Sequence, residues 1–438
     1  MIRRLVWTAG PARRNRGYKP YFRRIAAAAA MSREAFTAWQ ADEVRAHVQW
    51  ATETIPYLRE QAPGAERLQD LPILTREIVQ AHAEGLIDPT RPREALQENA
   101  SGGSTGQPVR VWQDEAYWQH EFATETWLYH WWGLEPWCAK AYLWGNDLDP
   151  QEEYWKAKLE ARLAGEYSLN VFAVDKDAIE AFAKRLEAKR PPVLLGYASA
   201  LELFAAHVED RGGIAWKPRL VRSAAEALHP ERRARIERGL GVPVVDFYGS
   251  RESASLAAQW HDRRFYVLEH GRVLEIVDDA GEPVPPGVPG RVLVTDFTNR
   301  AFGLVRYENG DVASFAPQES RNDAPCPYRT IERVHGRTSD FITTPSGMRI
   351  HGEWFTHLFY GVEAVTRFQV RQHRPEQVRL LTEGPADETV LAPILAKMRE
   401  RLGPEVEVTW EAVASIPLTK TGKWRFTVSD VPFRAGAS

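Results

Sequence analysis

The sequence predicts an α/β fold in two parts, a large N-terminal α/β domain and a small C-terminal α+β domain. Three observations carry this. The 438 residues exceed the range over which a single hydrophobic core keeps growing. Helical periodicity alternates with short β-rich runs at residues 193–195, 220–221 and 242–247, the alternation expected of an α/β domain. Beyond Gly336 the pattern changes to strand, strand, helix and strand, over a length that suits a compact unit of about 100 residues. The expected division is a basic N-terminal arm over 1–32, a large domain over 33–336 and a small domain over 337–438.

The elements follow in order. Residues 1–30 are rich in arginine and free of acids, and they end in a short apolar run at 25–30 before Met31. That run is too short for the apolar core of a secretory signal, so a basic arm, or a true start at Met31, is expected. From Arg33 to Thr54 the spacing of Phe36, Trp39, Val44, Val48 and Trp50 predicts a helix, which Pro56 ends. Residues 98–108 read as a loop, because serines, glycines and a threonine sustain no period, and 109–112 read as the strand leaving it. In the small domain, 366–370 and 378–381 read as pairing strands, 390–402 as an amphipathic helix and 406–410 as a strand.

Composition excludes several function classes. With 44% hydrophobic and 26% charged residues the chain is an ordinary globular protein, neither disordered nor fibrous. A net charge of -3 supplies no basic field, so nucleic acid is not expected as a partner. Cys138 and Cys326 stand alone, without the spacing of a zinc site or a disulfide framework, and read as free thiols of a cytoplasmic protein. No apolar run approaches the roughly 20 residues that span a bilayer, so no membrane is expected.

Five strings carry chemistry. Ser101, Gly102, Gly103, Ser104, Thr105 and Gly106 combine backbone freedom with hydroxyls and N–H groups able to cradle phosphate; taken alone they read equally as a glycine turn. Residues 246–252 follow an apolar strand, where open α/β sheets place ligands, with Tyr248 able to stack on a base and Glu252 to hold magnesium. A strand end with solvated charges is the plainer alternative. Residues 306–311 set Asp311 beside a glycine turn, as an acceptor for two ribose hydroxyls or as an ordinary turn. Residues 336–340 stand at the change of composition, as a hinge or a polar linker. Lys420 and Lys423 lie on a glycine-bearing loop, able to swing a point charge onto a phosphate or simply solvated. An enzyme that activates acids with a nucleotide needs every one of these parts, and they occur in a consistent order.

Together the strings resemble the adenylate-forming superfamily of acyl-CoA synthetases, luciferases and adenylation domains, and within it the phenylacetate-CoA ligases with their capsule-biosynthesis-type relatives. Supporting this branch are Ile55, Pro56 and Tyr57, the residues 71–75, Gly196 and Tyr197 before a helix, residues 296–299 ahead of Arg306 and Tyr307, and residues 368–372. The resemblance implies a large ATP- and acid-binding domain of adenylate-forming type and a small mobile lid domain. It implies that residues 101–106 hold the ATP phosphates, that Glu226 and Tyr248 lie beside adenine and that Asp311, supported by Arg337, binds the ribose. It further implies Glu252 as magnesium ligand, Lys423 as catalytic lysine, and Trp144, Asn146, Phe247 and Gly249 as walls of the acyl pocket. Two positions depart from the family pattern: Arg251 replaces the usual threonine and is expected to reach a phosphate, and Ser339 replaces the usual hinge aspartate, with Asp340 next.

The implied activity is ATP- and Mg2+-dependent conversion of a carboxylic acid to an acyl-adenylate, then transfer to coenzyme A. The aromatic residues Trp127, Trp131, Trp132, Trp137, Tyr142 and Trp144 suit an aromatic or bulky apolar acid, or else build a core. Two alternatives stand beside this: an amide-forming ligase that passes the adenylate to an amine or carrier protein, and a nucleotide-binding module without catalysis.

Overall fold

Ser32 opens the helix Arg33–Thr54 by accepting a hydrogen bond from the N–H of Ala35, and Pro56 then stands at the first position of a second helix, Pro56–Gln61. Both boundaries are local in origin, a side-chain cap and a residue without an N–H. In this computed structural model residues 2–9, 16–100, 109–144, 161–171, 175–317, 324–359, 362–417 and 425–431 are described. Ahead of residue 33, the helix Tyr18–Ala29 buries Tyr18, Ile25 and Ala28 against the helix Glu115–Trp131. Trp7 stacks on Phe122 with ring centroids 5.9 Å apart.

The first strands are β1 (Gln97–Ala100) and β2 (Arg110–Gln113), an antiparallel pair. Residues 98–100 were expected in the loop. Their Glu, Asn and Ala have little intrinsic preference for a strand, and it is the ladder to β2 that makes them one.

The large sheet begins with β3 (Lys140–Trp144), β4 (Glu166–Asn170), β5 (Val193–Tyr197), β6 (Leu220–Ala224) and β7 (Val244–Ser250), all parallel to their neighbours. It continues antiparallel through β8 (Ala254–Gln259), β9 (Phe265–Val267), β10 (Arg272–Val277), β11 (Gly290–Asp296), β12 (Tyr307–Phe315) and β13 (Thr330–Arg337). Among the described residues the order is β10-β11-β12-β13-β9-β8-β7-β6-β5-β3-β4. Strand β7 is where the parallel half gives way to the antiparallel half.

Both faces of the parallel half are covered, and for that reason its strands read as nearly continuous apolar runs. Leu194, Val221 and Val244 face the helices that carry Phe182, Leu201, Phe204 and Leu240, while Val193, Leu195, Leu220 and Val245 face Ile25, Phe36 and Leu128. Alternation along each strand sorts these residues onto the two faces.

After β13, the strands β14 (Phe341–Thr343) and β15 (Arg349–His351) pair with each other. A four-stranded sheet then forms from β16 (Arg367–Arg374), β17 (Gln377–Glu383), β18 (Glu407–Ala412) and β19 (Thr427–Ser429), in the order β18-β17-β16-β19. The helix Glu388–Leu402, capped by Asp387, lays Leu391, Leu395, Met398 and Leu402 on Val370, Val378, Leu380 and Val408. The molecule is thus a large α/β domain followed by a small α+β domain. Among the described residues no helix is long and apolar enough to cross a membrane.

Candidate active site

Strands β3, β5, β6 and β7 run parallel, so their carboxyl ends, with Trp144, Tyr197, Ala224 and Tyr248, lie along one edge of the sheet. In open α/β sheets that edge is where ligands bind.

Tyr248 is the centre of a polar cluster. Its hydroxyl donates to Asp311 Oδ2 at 2.6 Å and accepts from Asn309 Nδ2 at 2.7 Å, and Asn309 Nδ2 also lies 2.9 Å from Asp311 Oδ2. Arg337 pairs with the other carboxylate oxygen of Asp311 at 2.9 Å and donates to the carbonyl of Asn309 at 3.1 Å. Burial pushes the Asp311 carboxyl up, and Arg337 opposes that shift. The charge of Asp311 in turn raises Arg337, against its own burial.

Glu252 lies just past β7, in the turn to β8, and Tyr307 approaches it with its hydroxyl 3.5 Å from Oε1. Among the described residues no group of three or more His, Cys, Asp or Glu side chains gathers around a common point. A lone half-buried carboxylate fits Mg2+, which keeps several waters and takes one or two protein carboxylates beside the phosphate oxygens of its nucleotide. Arg251 beside it is exposed.

Glu226 follows β6 after Ala225, whose φ of 66° turns the chain sharply. Its Oε2 accepts from the N–H of Ser199 at 2.8 Å, so the carboxylate caps the helix Ala198–Asp210 that starts at the end of β5. At Gly249 a Cβ would run into the carbonyl of Ala254, across the irregularity in the β7–β8 pairing, so a bare backbone is required there.

Of the aromatic residues, Trp144 stands over Tyr197 at the strand ends with ring centroids 4.2 Å apart. The other tryptophans pack inward. Trp127 stacks on Trp131 at 5.4 Å, Trp132 donates from its indole to the Gln259 carbonyl, and Trp137 meets Trp7 at 5.6 Å. Trp127, Trp131 and Trp132 build core, as large rings commonly do, while Trp137 is half-buried against the N-terminal helix. Phe247 lies under the Arg222 guanidinium at 4.8 Å, and Arg222 Nη1 is paired with Glu125 at 3.0 Å.

At the junction after β13, the short 3₁₀ turn Thr338–Asp340 is held from the far end of the chain. Arg425 Nη2 donates to Ser339 Oγ and to Asp340 Oδ1, each at 2.7 Å, and Asp340 Oδ2 accepts from the Arg337 N–H at 2.9 Å. Gly336, with φ of 118°, precedes the turn.

The structure therefore gathers Tyr248, Asp311 and Arg337 in direct contact and Glu252 nearby. The expected residues Ser101, Gly102, Gly103, Ser104, Thr105, Gly106, Asn146 and Lys423 lie outside the described residues. Asn309, Tyr307 and Arg425 were missed by sequence reasoning. The first two stand inside the string 306–311 that was singled out, where an amide two residues before an acid was a usable signal.

A model of the CapK C-terminal domain matches residues 342–430. Protein CapK of Staphylococcus aureus is 21% identical over 377 residues, which cover 83% of this chain and 80% of that protein. Phenylacetate-coenzyme A ligase of Pseudomonas putida is 30% identical over 139 residues, 29% of each chain. Among solved structures, 2-hydroxyisobutyryl-CoA ligase in its postadenylation state, in complex with R3-HIB-AMP, shares the fold with a TM-score of 0.67 at 16% identity, over 92% of this chain and 91% of that one. Over residues 342–430 the chain thus matches the CapK C-terminal domain, by sequence it is similar to CapK and in part to the phenylacetate-coenzyme A ligases, and by fold it is similar to the adenylate-forming CoA ligases.

Proposed function

We propose that the chain activates a carboxylic acid with ATP and passes the acyl group to coenzyme A. One observation carries the reading: the cluster of Tyr248, Asp311 and Arg337 at the carboxyl end of β7, with Glu252 on the next turn. In the first step a carboxylate oxygen attacks the α-phosphorus of ATP, the bond to the bridging oxygen breaks, and pyrophosphate leaves. In the second, the sulfur of coenzyme A attacks the acyl carbon, its proton passes to solvent, and AMP leaves.

The residues take the following parts. Tyr248 offers its ring to the base, and its bond to Asp311 fixes the ring's tilt. Asp311, held by Arg337, accepts from the ribose hydroxyls. Residues 101–106 donate to the phosphates, Arg251 reaches one of them, and Lys423 brings an ammonium to the developing charge. Magnesium held at Glu252 would neutralise the departing pyrophosphate. Glu226, placed as a helix cap at the same sheet edge, lies on the adenine side. The small domain acts as the lid, pivoting at residues 336–340.

Trp144, Tyr197, Phe247, Gly249 and Asn146 make an aromatic or bulky apolar acid the favoured substrate class. The reaction belongs in the cytoplasm, where ATP and coenzyme A are available. The test is a carboxylic-acid library screened for ATP-dependent pyrophosphate release, with coenzyme A and then amines as acceptors. Thioester formation supports the reading, amide formation with no thioester replaces its second step, and ATP binding with no pyrophosphate release from any acid overturns it.

A further inference from the structure

Three consecutive carbonyl oxygens in the turn that carries Glu252 each accept a hydrogen bond from a different side chain. Asn99 Nδ2 donates to the carbonyl of Arg251 at 2.9 Å, Gln113 Nε2 to that of Glu252 itself at 3.2 Å, and Arg272 Nε to that of Ser253 at 2.8 Å. The turn is drawn closed by Ser250 Oγ, which accepts from the Ser253 N–H at 3.0 Å. Ala254, which ends it, has a φ of 45°, in the left-handed region that an alanine seldom adopts. Such a backbone persists only where its surroundings over-determine it.

The surroundings come from two places. Arg272 is fully buried and paired with Glu121 and, at 3.3 Å, with Asp296, while Glu121 also accepts from the Ser255 N–H at 3.3 Å. Asn99 and Gln113 belong to the β1–β2 pair. Gln97 stands opposite Gln113 in the register, so Asn99 lies diagonally across from Gln113 on the same face, and its Nδ2 is 3.4 Å from Gln113 Oε1. Between these strands in the chain runs the glycine-rich segment 101–108. Two neighbouring amides thus tie the strands flanking that segment to the backbone of Glu252 and of the residue before it.

We infer that Asn99 and Gln113 are positioning residues for Glu252, fixing the point at which its carboxylate meets a divalent cation and its nucleotide. The inference rests on the function proposed above. A neutral amide-to-carbonyl bond contributes little to the stability of a fold this large. Its leverage on a ligating carboxylate is greater, because removing an outer partner of a metal ligand costs about tenfold or more in metal affinity.

The test compares the full-length chain with Asn99→Ala, Asn99→Asp, Gln113→Glu, Glu252→Gln and the double variant Asn99→Ala/Glu252→Gln. Two quantities are read: the Mg2+ concentration for half-maximal pyrophosphate release, and the rise in melting temperature on adding Mg2+ and ATP. Asn99→Asp and Gln113→Glu keep the side-chain shape and remove the donor, and ligand-free melting shows that each variant folds. The expected result is an approximately tenfold higher Mg2+ requirement in the Asn99 and Gln113 variants, a smaller ligand-induced rise, and no further loss when Asn99→Ala is added to Glu252→Gln. The inference falls if Glu252→Gln raises the Mg2+ requirement while the folded Asn99 and Gln113 variants do not, or if the losses in the double variant add. If the parent protein is neither stabilised by Mg2+ and ATP nor releases pyrophosphate with any acid, the proposed function falls and takes this inference with it.

Discussion

Tyr248 and Asp311 are joined by a 2.6 Å hydrogen bond although β7 and β12 stand four places apart in the sheet, separated by β8, β9 and β13. The antiparallel half must therefore coil far enough to bring its far strands back over the end of β7, a stronger form of the twist every sheet carries. The bond links a ring able to stack on a base with a carboxylate able to hold a ribose, so under the proposed function one nucleoside would meet both halves of the sheet.

Tyr248→Phe keeps the ring and loses only the hydroxyl's bonds to Asp311 and Asn309, so ATP affinity should fall by no more than about fivefold. Asp311→Ala leaves Arg337 without its carboxylate and removes the ribose acceptor, and ATP affinity should fall by roughly tenfold to a hundredfold. Calorimetric titration with ATP checks both. Equal losses in the two variants would show that the hydroxyl, and not the ring, is what matters at Tyr248.

Glu252→Gln should raise the Mg2+ requirement of pyrophosphate release by tenfold or more, because an amide oxygen is a poorer ligand than a carboxylate for a hard cation. Titrating Mg2+ at fixed ATP checks it. A variant with the parent's Mg2+ dependence would remove Glu252 as the ligand.

Asp246 begins the same string and titrates unusually. Burial pushes its carboxyl up to about 7, against the Phe247 N–H that it accepts from and the nearby Arg233. A folded-state value above the unfolded one means that the folded protein holds a proton the unfolded chain has released. Stability is therefore lost as pH rises from about 4 to about 7, and the full penalty, at most about 4 kcal/mol, applies above that window. Asp246→Asn carries no such charge, and should raise the melting temperature by several degrees at pH 8 and by distinctly less at pH 5. An equal gain at both values would assign the effect to packing.

What was legible in the sequence is what is local. The helix Arg33–Thr54 announced itself by its apolar spacing and its end by Pro56, and the buried strands of the parallel half announced themselves as apolar runs. Glu252 and Asp311 stood out as acids beside turns. The strand nature of residues 98–100 was not legible, because it comes from a ladder to β2 across the segment between them. Nor were the partners of the site: Asn99 and Gln113 on the β1–β2 pair and Arg272 on β10 reach the Glu252 turn from far along the chain, and nothing in an isolated amide tells where its donor points. The tryptophan-rich stretch stayed open between pocket wall and core for a related reason, since a ring in either looks alike until its neighbours are known.

Lys423→Ala should lower adenylate formation by roughly two orders of magnitude with little change in melting, since a charge whose part is to stabilise a transition state contributes little to the folded state. Pyrophosphate release at the parent rate would remove this lysine from the chemistry.

The junction after β13 supplies the last test. Arg425 lies two residues beyond Lys423 in the chain and grips both Ser339 and Asp340, so the C-terminal end and the short turn Thr338–Asp340 are held together in the arrangement described. Ser339→Pro locks φ at this residue and takes away the Oγ that Arg425 holds, so it forbids a wide change of φ there. If the small domain must swing at this turn between two half-reactions, Ser339→Pro should spare one and slow the other by tenfold or more. Arg425→Gln weakens the grip without restricting the backbone, and should shift the balance between the two rates far less. Separate assays of adenylate formation and of acyl transfer from preformed adenylate distinguish these outcomes. Equal loss in both assays for Ser339→Pro would indicate general damage, and no loss in either would move the pivot to Asp340 or away from this turn.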